Sequence, residues 1–97
     1  MQEQFEITGN FETENSSKYL IQLCKHFAHK IPATVEGDKG QINFDIGTAA
    51  LTAHDTALTA TLVAGNAEAL ARLQHIVDDH LKRFAFREDF AGMTWQN

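Results

Sequence analysis

Residues 23 to 30, "LCKHFAHK", hold Cys24, His26 and His29 with Lys25 and Lys30 interleaved. Thiolate and imidazole side chains at such close spacing suggest either a soft-metal ligand set or a nucleophile beside its base. Helix geometry divides the group. At about 100° per residue, Cys24 lies about 160° from His26 and about 140° from His29, so the three cannot converge on one ion. His26 and His29, about 60° apart, share a face as an i, i+3 pair. They form a candidate metal pair, provided that a further ligand comes from a second helix or another subunit. Cys24 falls instead beside Phe27 on the apolar stripe, where a free cysteine packs as a small hydrophobe. A reactive thiol there would need an exposed, electropositive setting.

A second group lies near the C-terminus. His80 falls between Ile76 and Phe84 on the apolar edge of another helical pattern, so its imidazole needs a partner in a backbone carbonyl, in Tyr19 or in a water. If the two helices lie side by side, His80 is expected near Cys24, where it either shapes the core or orients a site formed with Arg83 and Arg87. Lys30, Arg83 and Arg87 cluster at helix ends, where they can meet an anionic ligand or can serve only as solvated flanks. His54 and His75 read as surface residues. Asp78 and Asp79 are adjacent and face different ways, which makes them a poor acid/base pair and places them on the solvated helix surface. A glycine-rich phosphate loop, a Gly-x-Ser-x-Gly elbow and a His-Glu-x-x-His motif are all absent from the sequence.

The elements that must position these residues follow from periodicity. "QFEIT" alternates as a half-buried strand. "NSS" offers N-caps before a stripe of Leu20, Leu23, Cys24, Phe27 and Ile31, and Pro32 stops the helix. From Ala33 to Ala64 the period becomes two, in four strands separated by "GDKG", "GT" and "HDT", links short enough to require antiparallel neighbours. Asn66 caps a second helix with inward residues Leu70, Leu73, Val77, Leu81 and Phe84, and a short closing strand runs through Met93 and Trp95. The order β-α-β-β-β-β-α predicts an α+β two-layer sandwich, with an antiparallel sheet of five or six strands and both helices on one face. In shape this resembles the TATA-binding-protein-like architecture.

Composition bounds the function. The 97 residues suffice for a single domain over 1–97, and 43% apolar with 22% charged residues is an ordinary globular balance. The net charge of −5 argues against nucleic-acid binding. The sequence has no apolar run of membrane-spanning length, no signal-like start and a single cysteine, which together lead to the expectation of a cytoplasmic protein without membrane contact.

Two longer stretches, "KYLIQLCKHFAHK" and "EALARLQHIVDDHLKRFAFRE", with "GQINFDIGTAALTAHDTALTATL" between them, resemble DUF2218, a family of small bacterial proteins. The likeness covers about residues 16 to 95. Related domains occur joined to siderophore-interacting, flavin-dependent ferric-reductase-like proteins, so the resemblance implies a context of iron handling. It directs attention to Cys24, His26, His29 and Lys30 in the first motif and to His80, Arg83, Phe84, Phe86 and Arg87 in the second. The sequence contains no flavin domain, so any reductase chemistry is expected from a partner. The expectation is a non-enzymatic binding or accessory module for a siderophore or other small anionic ligand, with no organic cofactor. A small metal-binding protein using His26 and His29 is the first alternative, and an aldolase-like or thiol-dependent enzyme is the weakest.

Overall fold

The computed structural model describes residues 4–96. Strand β1 (Phe5–Glu12) leads into helix α1 (Ser16–Ala28), followed by β2 (Ala33–Glu36), β3 (Lys39–Phe44), β4 (Gly47–His54) and β5 (Ala57–Ala64). Helix α2 (Ala67–Phe84), a 3-10 turn (Phe86–Glu88) and β6 (Thr94–Gln96) complete the chain. All strand pairs are antiparallel, in the spatial order β2-β3-β4-β5-β1-β6. The expected sandwich is present, with β6 as the sixth strand. No helix among the described residues is long and apolar enough to cross a membrane.

Alternation in β5, "ALTATLVA", buries Leu58, Ala60, Leu62 and Ala64 under the helices. The opposite face of the sheet carries threonines from several strands, Thr8, Thr48, Thr52, Thr59 and Thr61 among them. On the covered face the small residues Ala49, Ala60 and Gly40 let the helices approach closely. A Cβ on Gly40 would lie 2.6 Å from the Cys24 sulfur, so this glycine makes the seat for α1. Gly37, with φ of 63°, forms the β2–β3 turn in the left-handed region that glycine tolerates.

The apolar stripes of both helices face this sheet. Leu20, Leu23, Leu73, Val77 and Leu81 are fully buried, Leu70 is nearly so, and Phe27 is only half-buried at the end of α1. Asn66 caps α2 as its residue type demands, accepting from the Ala69 amide at 2.8 Å. Asn15 occupies the corresponding position before α1 but makes no side-chain cap. Helix α1 ends three residues short of Ile31, where the amides of Lys30 and Ile31 both donate to the Phe27 carbonyl ahead of Pro32. Asp78 is not idle helix surface. Its carboxylate accepts from the Met93 amide and from Trp95 Nε1, both at 2.9 Å, and so fastens β6 to α2.

Candidate functional site

The two ends of α1 hold two polar clusters of opposite character. At the N-terminal end, Glu88 of the 3-10 turn accepts from Thr13 Oγ1 at 2.7 Å, from Asn15 Nδ2 at 3.0 Å and from the Tyr19 hydroxyl. Asn15 therefore spends its side chain on Glu88 rather than on the helix end. Thr13 Oγ1 also accepts from the Asn15 amide at 3.0 Å. Burial, followed by the bond to Glu88, pushes the Tyr19 phenol up to about 12. Reciprocally, the Tyr19 hydrogen bond holds the Glu88 carboxyl below its usual range, helped by Thr13 and Asn15 and opposed by partial burial. The Tyr19 ring stacks on Phe11 at 5.8 Å, and Phe11 packs on Phe90 at 4.5 Å. No buried side-chain polar atom in this cluster lacks a partner.

At the C-terminal end of α1 the arrangement is open. His26 and His80 meet across the two helices with ring centres 4.8 Å apart, flanked by Phe27 and Phe84, and Phe27 packs in turn on Phe44 of β3. His26, Phe27, His29, Lys30 and His80 line one cleft of about 390 Å³, within the range of small-ligand pockets. His80 Nδ1 lies 2.7 Å from the carbonyl oxygen of Ile76, one turn earlier on α2. A carbonyl can only accept, so Nδ1 carries a proton, and Nε2 is the nitrogen left to accept in the neutral form of the ring. Desolvation against the neighbouring rings lowers the His26 pKa, and His80, Arg83, His29 and Lys30 add to the effect through their positive charge. Arg83 pairs with Asp79 at 3.3 Å, an exposed i, i+4 contact weak enough to be exchanged for a ligand. It is the one ion pair among the described residues, so Lys30 has no carboxylate partner there.

The structure thus gathers His26, His29, Lys30 and His80 around one cleft and leaves three of the expected residues, Cys24, Arg83 and Arg87, outside its lining, with Arg83 exposed on α2 and close enough to act on His26 through its charge. Cys24 is 2% exposed and packs on Gly40 of the sheet, and burial pushes its thiol up, so it faces neither the cleft nor His80. The neighbour of His80 is His26, on the other flank of α1. Arg87 lies over the Phe86 ring at 5.6 Å, beyond the end of α2. No group of three or more His, Cys, Asp or Glu side chains able to hold a metal ion occurs among the described residues. A second hollow, lined by Ile46, Asn66, Glu68, Ala69 and Arg72 at the start of α2, brings together no comparable set of imidazoles and cations.

Sequence reasoning missed the Glu88 cluster. One signal was available: the single tyrosine falls on the buried stripe of α1 and its hydroxyl requires an acceptor. Which acceptor depends on where the tail after α2 returns, and that tail has no periodicity to place it.

No curated protein matches the chain. Among solved structures, the fold is similar to the NMR structure of PA4090 from Pseudomonas aeruginosa, with 33% sequence identity, a TM-score of 0.80 and 95% of each chain covered. The family model described as uncharacterized protein conserved in bacteria matches residues 8–96, from the middle of β1 to the end of β6, and so takes in both helix motifs. By that match, the chain belongs to the DUF2218 family.

Proposed function

We propose that this protein is a binding module whose ligand is a small anionic molecule held in the cleft between the last turn of α1 and the C-terminal part of α2. The observation that carries the reading is the lining of that cleft: Lys30 at its rim, imidazoles and the Phe27 ring in its wall, and no carboxylate among its lining residues. Lys30 and Arg83 supply charge to the anion, and Phe27 supplies an apolar surface for its carbon frame. The role in iron or siderophore handling, with a separate flavin-dependent reductase as partner, rests on the family resemblance. An anionic iron-chelating ligand is consistent with this charge pattern.

A thermal-shift screen of siderophores, di- and tricarboxylates and phosphate, followed by calorimetry on the best ligand, tests the reading. Binding is expected to weaken about tenfold in Lys30→Ala and by less in Arg83→Ala, whose partner Asp79 already competes for it. Binding that is indifferent to both substitutions would contradict the assignment of the cleft.

A further inference from the structure

Three properties of the cleft bear on the kind of anion it takes. The first is the distance between its imidazoles. With a nitrogen–metal bond of about 2.1 Å, an imidazole ring centre lies about 3.2 Å from a bound metal, so two ligands in cis positions have centres about 4.5–5 Å apart. The His26 and His80 rings are 4.8 Å apart. The contact is therefore compatible with a shared ion as well as with simple packing.

The second property is the hydrogen bond behind His80. A histidine ligand to a metal commonly donates its other ring nitrogen to a carbonyl or carboxylate, which fixes the tautomer and the ring orientation. Nδ1 of His80 does this with the Ile76 carbonyl at 2.7 Å, leaving Nε2 as the ligating atom. Neither His26 nor its i, i+3 neighbour His29 has such support among the side-chain hydrogen bonds of the described residues, so it is the contact with His80 that marks His26 as the second ligand.

The third is the distribution of charge. Imidazoles line the cleft near the last turns of α1 and α2, where the negative ends of two helix dipoles lie, while Lys30 lines it and Arg83, outside the lining, adds positive charge near His26. A bare dication would find two protein ligands at most and a cationic rim. A chelate with a cationic centre and anionic periphery complements both parts.

We infer that His26 and His80 ligate the metal of an anionic chelate of a first-row transition ion, whose organic part fills the remaining coordination positions and meets Lys30 and Arg83. The inference rests on the anion-binding reading above and specifies its ligand class.

The test uses nickel(II) nitrilotriacetate, an anionic complex that leaves two cis positions open for imidazole, alongside free nitrilotriacetate and the nickel ion alone, titrated into the full chain by calorimetry and nickel absorption. The expected result is one complex bound per chain, with the free chelator and the bare ion each about tenfold weaker. His26→Ala and His80→Ala each lose about tenfold or more, whereas His29→Ala changes little. His26→Ala alters an exposed side chain and remains informative even if His80→Ala fails to fold. Loss in His29→Ala with no loss in His80→Ala would assign binding to the i, i+3 pair on α1 and overturn the inference. Equal or tighter binding of the bare ion would do the same. Binding of the free anion that needs Lys30, without any histidine-dependent gain from nickel, would leave the anion-binding reading intact and remove this one, while failure of every probe would remove both.

Discussion

The two ends of α1 differ less in composition than in satisfaction. Around Tyr19, the side chains of Thr13, Asn15 and Tyr19 all donate to one carboxylate, and Glu88 alone takes three hydrogen bonds. Around His26, three imidazoles and an ammonium with no carboxylate partner among the described residues line a cleft, and one carbonyl contact fixes the orientation of a ring. Closed polar networks hold a fold together, and polar groups left without protein partners are where a ligand has something to add. On this ground the histidine end is the site we propose, and the tyrosine end is a latch fastening the segment after α2 to the start of α1.

The largest effect is expected from opening the latch. Glu88→Ala strands the Tyr19 hydroxyl, Thr13 Oγ1 and Asn15 Nδ2, and should cost about 2–3 kcal/mol in chemical denaturation while leaving ligand affinity unchanged. A loss of affinity in this variant would mean that the two ends are not separable.

The latch also has a pH signature. The folded-state carboxyl of Glu88 is held below its usual range, so its contribution is present above the unfolded carboxylate pKa and lost as pH falls through the lower folded value. The Tyr19 phenol is raised, so its contribution is complete below the unfolded phenol pKa and disappears as pH rises toward about 12. The chain has one tyrosine, so an ultraviolet titration reads Tyr19 alone. In Glu88→Gln the midpoint should fall from about 12 but stay above the free phenol, because burial is the larger cause. A midpoint unmoved by the substitution would show that the hydrogen bond contributes nothing to the shift.

The smallest stability effects belong to the cleft. His26→Ala and Lys30→Ala remove exposed side chains and should change the unfolding free energy by no more than about 0.5 kcal/mol. A cost comparable to that of opening the latch would make this end structural as well.

Much of the scaffold was legible because local rules and packing agree in it. The alternation of β5, the Asn66 cap and the stripe through Leu73, Val77 and Leu81 each name their element without help from the rest of the chain. Helical angles alone separated Cys24 from His26, and the thiol is buried on the sheet. What was not legible depends on contacts between elements. That His80 meets His26 rather than Cys24 follows from how the C-terminal part of α2 approaches the flank of α1, and periodicity carries no such information. Asp78 shows the same limit: its spacing marks it as surface, and only the return of β6 supplies Trp95 and the Met93 amide as its donors.

The central claim, that the histidine end of α1 binds a ligand and the tyrosine end does not, is tested most directly by following backbone amide resonances during titration with the best anion from the screen. The account predicts saturable shifts concentrated on residues 26–30 and 76–84, absent in Lys30→Ala, with Thr13, Asn15, Tyr19 and Glu88 undisturbed. Shifts centred on Tyr19 and Glu88, or spread over the threonine face of the sheet, would contradict it.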